Sequence, residues 1–477
     1  MARLVIGTNK TATTPAVVRD MSPESYRVFE LDSSGMLLNS QTTPFIPLPA
    51  GTKDISSYLF YRCYSGTPAS VLSGTIDMSS LEGLTGQNAC SSMFYNCTGI
   101  TSINLSSLFS VSANYACSNM FDSCTGITNI NLDSLTSVTA QYGCSSMFFN
   151  CTGITTADLS SLVTISANNS CEHMFAGCTS LASANLSHLC KLGTRSNMQY
   201  MFRNTALTSL SFPNLAYTNT NINSAFSNTL SGVTGCTVHF PSDWQTKMST
   251  WTNITNGLGG TNTTVLFDLP AVTTLDLSHI TSIYANSSFS SFNSSNYFPN
   301  VTSVNLSNLT KIKGSNCCNS MFENNTVITS VDLSSLKTIS GYYACNNMFA
   351  NCTGITSINL GSLETIEGTD GGTECSNMFG GSGLTSITFT SLKRINSSGA
   401  LQNMFQSCSS LISVSFPALI STFGIWTNVF QSMLRGCTGV TVHFPSNLQS
   451  VIGSWSDVTN GFGGTNTTVL FDLPATE

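Results

Sequence analysis

Pairs of cysteines seven residues apart recur along the chain: Cys90 and Cys97, Cys117 and Cys124, Cys144 and Cys151, Cys171 and Cys178, then Cys345 and Cys352. Thiols at a fixed spacing can hold a soft metal, close disulfides or attack an electrophile. A gap of this length inside a turn is not the C-x2-C of a zinc knuckle, and no histidine recurs in phase with it. A catalytic thiol needs one specialised Cys–His pair, whereas these cysteines come with every copy. The expectation is a ladder of buried free thiols acting as small hydrophobes, with disulfides or metal ligation as the alternatives. Cys375 and Cys408 stand alone, which a disulfide framework would not tolerate well.

Other chemistry-bearing groups are scattered. His173, His188 and His279 fall at unrelated places, while His239 and His443 occupy equivalent positions of a duplicated stretch, which points to structure. No G-x-S-x-G, phosphate loop or H-E-x-x-H occurs. The chain is therefore expected to be no enzyme and to carry no cofactor. Glu367, Asp370 and Glu374 surround two glycines in EGTDGGTEC, a set of carboxylates that could hold a hard cation. The spacing does not fit an EF-hand loop, and an ordinary acidic insertion is the expected reading.

The remaining candidate is a face. Asn104, Asn131, Asp158 and Asn185, followed by Ser211, recur at one position, and Asn305, Asp332 and Asn359, followed by Thr388 and Ser415, repeat it later. Stacked at about 4.8 Å, these groups would form a long uncharged hydrogen-bonding ladder. Such a ladder either keeps a repeat protein soluble or offers a surface to a hydroxyl-rich glycan.

The elements that would position these residues follow from the repeat. Met93, Met120, Met147, Met174 and Met201 are each 27 residues apart, and Met321, Met348, Met378 and Met404 form a second series. Self-similarity at that length means a solenoid or propeller. Within one copy Ile100, Ile103, Leu105 and Leu108 give the spacing L-x-x-L-x-L-x-x-L. TSINL alternates at the strand period, so Ile103 and Leu105 point inward and Ser102 and Asn104 outward. ACSNMF groups its apolar residues at helical or 3-10 spacing and is expected to pack the opposite wall. One copy cannot bury its apolar face alone, but stacked copies share a continuous core.

A larger duplication encloses the small one. HFPSDWQTKMSTWTNITNGLGGTNTTVLFDLP begins at His239 and its second version begins at His443. Each reads as a strand ending in Phe-Pro, a short helix bearing Trp251 or Trp455, a Gly-rich turn and a closing strand. Open solenoid ends need atypical closing units, so these segments are expected caps, at about 236–270 and about 437–477. The expected organisation is an attachment segment at 1–57 and two capped modules at 58–270 and 271–477.

Composition restricts the partners. Only 8% of the 477 residues are charged, against about 25% in ordinary soluble proteins. With 16 basic and 23 acidic residues the net charge is −7. No basic cluster exists to neutralise a phosphate backbone, so nucleic acid is excluded as the expected partner. No stretch reaches the roughly 18 apolar residues of a membrane helix, so no membrane insertion is expected. MARLVIGTNKTATTPAVVRD lacks the apolar core of about 7–15 residues that a signal peptide requires.

MFYNCTGITSINLSSLFSVS resembles the BspA-type leucine-rich repeat, with Phe94, Cys97, Ile100, Ile103 and Leu105 on that family's pattern and Pro417 keeping its proline. VHFPSNLQSVIGSWSDV is similar to the segment that closes such proteins. Met-Phe stands where the family usually has Ala-Phe, and the repeat is somewhat longer. The resemblance implies an α/β solenoid of leucine-rich repeats of about 27 residues in two tandem capped arrays, after a small β-rich N-terminal segment. The family occurs in bacterial surface proteins, protist proteins and phage-encoded virion proteins. The expected function is a phage tail or capsid appendage that recognises a host surface, located in the virion. A bacterial cell-surface adhesin is the alternative. Expected partners are other virion proteins through residues 1–57, a host-surface glycan or protein, and further copies of the chain.

Overall fold

The computed structural model describes residues 86–193, 197–216, 222–247, 257–284, 300–368, 372–422, 429–452 and 461–475, parts of 66–84 and 289–292, and three strands nearer the N-terminus. Those three, Val5–Ile6, Ala16–Arg19 and Val28–Leu31, form a small antiparallel sheet. The chain divides into two compact units, one of Met1–Pro213 and Asn219–Leu269, the other of Asn214–Thr218 and Pro270–Glu477.

In the first unit each repeat contributes two short parallel strands on different sides of a coil. One row runs through Gly74–Asp77, Ile100–Asn104 and Asn129–Asn131, continues with Thr156–Asp158 beside Ser183–Asn185, and ends with Ser209–Ser211, Thr237–Pro241 and Thr264–Leu269. The other row holds Gly83–Leu84, Ser110–Val111, Ser137–Val138, Thr164–Ile165 and Lys191–Leu192. Pairing follows the sequence period, with Ile103 opposite Ile130 and Asn104 opposite Asn131.

The second unit repeats the plan. Thr274–Asp276, Ser303–Asn305 and Ser330–Asp332 share a sheet, as do Ser386–Thr388, Ser413–Ser415, Thr441–Pro445 and Thr468–Leu473. Its opposite row runs from Ser282–Ile283 to Ser421–Thr422.

The expected α/β architecture is corrected: this is a β-solenoid with almost no helix. The α-helices with both ends described are Ile222–Ala225, Trp244–Lys247 and Gln449–Ile452, each of 4 residues. The segment expected to be helical is instead a ribbon of tight turns. Asn88, Ser92 and Asn96 all have positive φ, as do Asn119 and Ser123 one turn later. Every second amide closes a turn, Met93 N–H to Cys90 O at 3.1 Å and Cys97 N–H to Phe94 O at 3.1 Å. The amides between them reach the next repeat, Cys90 N–H to Ala116 O at 2.8 Å and Phe94 N–H to Met120 O at 2.8 Å. A left-handed residue at every fourth position prevents the uninterrupted i→i−4 bonding of a helix. Asn and Ser are the side chains that tolerate it or bond back to the local backbone.

Between ribbon and strands lies the core. Phe94, Phe121, Phe148, Phe175 and Phe202 stack in a column with centroids 5.2, 5.5, 5.4 and 6.0 Å apart. The second unit stacks Phe322, Phe349, Phe379 and Phe405 at 5.6, 5.5 and 5.8 Å. At the end of the first unit's row Trp244 is buried and stacks on Phe240 at 4.9 Å. Trp251 and Trp455, the rings expected to plug the caps, lie outside the described residues.

Candidate functional site

Most short strands of the row end in an Asn or Asp, with Ser211, Thr388 and Ser415 the exceptions ahead of the cap strands, and the reason is local. A carboxylate or amide oxygen at that position accepts the backbone N–H two residues on, turning the chain out of the strand. Asn104 Oδ1 accepts from Ser106 N–H at 3.1 Å, Asn131 from Asp133 at 3.0 Å, Asp158 from Ser160 at 3.0 Å and Asn185 from Ser187 at 3.1 Å. In the second unit Asn305, Asp332 and Asn359 accept from Ser307 at 3.1 Å, Ser334 at 3.0 Å and Gly361 at 2.9 Å. All but Asn359 sit in strands; residues 355–360 form no strand.

Each column therefore has a structural duty before any ligand is considered. Asn104 and Asn305 also spend their Nδ2, donating to Asp77 at 3.1 Å and Asp276 at 3.0 Å. Hydrogen bonds from Ser79 and then Asn104 hold the Asp77 carboxyl below its ordinary value, and Ser334 does the same for Asp332. Asn131, Asn185 and Asn359 keep an amide NH2 as the group they offer to solvent.

The structure extends both columns by residues the repeat pattern did not single out. Asp77 and Asp276 open them, in TIDMSSL and TLDLSHI, where the apolar residues flanking each aspartate, Ile76 and Met78 or Leu275 and Leu277, were the available signal. His239 pairs with Ser211 and His443 with Ser415, so the cap histidines continue the same rungs. Each histidine faces a carboxylate, His239 Nδ1 to Asp268 at 2.9 Å and His443 Nδ1 to Asp472 at 3.0 Å.

A concavity opens on this face between Ser183 and Pro213. The strands Ser183–Asn185 and Ser209–Ser211 belong to separate ladders, and a groove of about 310 Å³ lies there. Ser183, Asn185, Ser187, Ser209, Ser211 and Pro213 line it around Ala184, which is only half-buried. The inward position there is alanine where Ile103 and Leu210 stand in other copies, so less side chain fills the wall.

Every described cysteine is a buried free thiol. Two columns run through each unit. Cys90, Cys117, Cys144 and Cys171 precede the methionines, and Cys97, Cys124, Cys151 and Cys178 follow the phenylalanines. Burial pushes the Cys178 and Cys352 thiols up to about 12. Among the described residues no group of three His, Cys, Asp or Glu is placed to hold a metal. Glu367 is exposed, Glu374 is buried, and Asp370 lies outside the described residues.

A family model described as the BspA type leucine rich repeat region matches in six copies, over residues 34–169, 87–232 and 319–455. The chain belongs to the BspA-type leucine-rich repeat family. The shared Phe-x-x-Cys positions of that family are, in this member, the stacked ring column and the thiol column beside it. No curated protein matches the BspA-type chain. Among solved structures it is similar to the functional domain of InlJ from Listeria monocytogenes, described as including a cysteine ladder, at 13% identity over 72% of this chain and 75% of that one. The TM-score of that match is 0.12.

Proposed function

We propose that the chain is a non-enzymatic recognition protein that displays solenoid faces to a surface ligand and is tethered through residues 1–57. The observation that supports this reading most is the groove at Asn185, where the polar column of the strand face becomes concave and offers clustered hydroxyls and an amide. The carrier in this reading is a bacteriophage particle, with the chain as a tail or capsid appendage and a host-surface glycan or protein as ligand. Membership of a family with both phage-encoded and bacterial surface members favours one second reading, a bacterial cell-surface adhesin.

Mass spectrometry of purified particles, compared with the surface fraction of uninfected cells, separates the two. The chain is expected in particles in fixed proportion to capsid and tail proteins. Recovery from the uninfected cell surface alone favours the adhesin, and absence from both fractions removes the display reading.

A further inference from the structure

The turn ribbon of the first unit carries rings where its geometry disfavours them. Among the described non-glycine residues with left-handed backbone, all are Asn or Ser except Tyr115, Tyr142, His173, Tyr200 and Tyr343. Short polar residues and histidine visit that conformation with some ease, whereas a tyrosine there is an outlier. Nor does the ribbon need a ring at these positions. Copies flanking Tyr115 and Tyr142 hold Asn88 and Asn169, and the position of Tyr200 is Asn119 or Ser146 elsewhere. Strain that the surrounding fold does not require collects at functional surfaces.

Four of these rings form two stacks on the first unit. Tyr115 and Tyr142 stack at 5.0 Å, and His173 and Tyr200 at 4.8 Å. Phe149 meets His173 edge-on at 6.1 Å, and the Arg203 guanidinium lies 5.7 Å from the Tyr200 centroid. Tyr115 is exposed, and Tyr142, Phe149, His173 and Tyr200 are half-buried. Exposed amides precede Tyr115 and Tyr142, at Asn114 and Gln141, and Asn168 holds the same exposed place before Asn169 in the next copy.

We propose that this ring-and-amide strip is a binding surface for a neutral carbohydrate chain. Tyrosine presents an apolar body and a polar tip at low cost in side-chain freedom. Sugar rings answer it with C–H faces and hydroxyls, and Asn and Gln amides both donate to and accept from those hydroxyls. The strip has no cluster of cations for a nucleic acid or acidic polymer, since the single guanidinium of Arg203 and the carboxylate of Glu172 both lie near His173. The strip lies on the turn ribbon, not the strand face, so the inference does not depend on the groove or on the carrier.

The test uses the full chain and the triple substitution Tyr115→Asn, Tyr142→Asn and Tyr200→Asn, residues that sister copies hold at these positions. Affinity electrophoresis through gels containing mannan, galactan, dextran or soluble cellulose oligomers reads binding, with hyaluronan as an acidic control. The parent is expected to be retarded by a neutral polysaccharide, the triple variant to lose at least tenfold in affinity, and Tyr→Phe at the same positions to retain most of it. The melting temperature of the Asn variant should equal or exceed the parent's, because left-handed tyrosines have been removed. Should that variant misfold, iodination of the parent followed by peptide mapping replaces it, with the retarding polysaccharide expected to protect Tyr115 and Tyr142. Retardation by none of the neutral polymers, retardation by hyaluronan alone, unchanged binding by the Asn variant, or absent protection overturns the proposal.

Discussion

The Cys151 thiol donates to the backbone carbonyl of Phe121 in the preceding turn, at 3.0 Å. The same bond joins Cys124 to Phe94 at 2.9 Å, Cys178 to Phe148 at 3.1 Å and Cys352 to Phe322 at 3.0 Å. Where the column lacks cysteine it holds Thr205, Asn325 or Ser382, each buried and each able to hydrogen-bond. The position thus selects a small side chain with a donor, which a purely apolar filler does not supply. Phe121 O already accepts Cys124 N–H at 3.1 Å, so the thiol occupies its second lone pair. Cys151→Ala is expected to cost about 1 kcal/mol for the bond, plus a small cavity term. Cys151→Ser, which keeps a donor, should cost less in urea unfolding; equal costs would mean that volume alone matters.

Accessibility of the thiols follows from the same placement. Only the thiolate reacts quickly, and burial holds Cys178 and Cys352 near 12 and Cys236 and Cys437 near 11. Ellman titration of native protein at pH 8 should proceed slowly, at the rate at which turns open. In denaturant without reductant most of the 18 cysteines should react at once. A count near zero would mean that they had oxidised.

Much of this was legible in the chain. The 27-residue step became the strand register itself, with Asn104 opposite Asn131, because a solenoid turn must close on the same residue of its neighbour. The helical expectation for ACSNMF failed on a near-coincidence of periods. Cys90, Met93, Phe94 and Cys97 suit one face of a helix, yet they equally suit a ribbon that turns every four residues. Its signal was polar: Asn88, Ser92 and Asn96 mark the left-handed positions at that spacing. The Asn/Asp column was visible, but its role in turning the chain was not, since an Asx turn depends on backbone direction after the strand. The ring stacks stood out less, because Tyr115 and Tyr142, and His173 and Tyr200, keep the 27-residue step but fill only two copies of each column, the others holding Asn or Ser.

Trp244 should matter more than its single occurrence suggests. It is fully buried against Phe240, and the later copy has Leu448 at the matching place, also buried. Trp244→Ala is expected to destabilise the first unit by about 3–5 kcal/mol. Because solenoid stability passes between neighbouring turns, hydrogen exchange should rise first around 209–241 and only later in 100–160. Uniform loss of protection across the unit would contradict nearest-neighbour coupling.

Glu374 is a buried carboxylate in the repeat that carries the acidic insertion. Neither of its oxygens is hydrogen-bonded among the described residues, and Ser397 Oγ donates instead to Gly372 O at 2.9 Å. Burial raises its pKa above the ordinary carboxylate range. The folded state therefore holds the proton to higher pH than the unfolded chain does, so stability falls as pH rises between the ordinary and raised values. Glu374→Gln supplies a neutral side chain of similar shape and removes that dependence. The variant should match the parent below about pH 4, where the carboxyl is protonated in both states, and exceed it at pH 7. Urea unfolding across that pH range reads the difference. A Gln variant weaker than the parent at pH 7 would show that the ionised carboxylate is held by a partner and stabilises the turn.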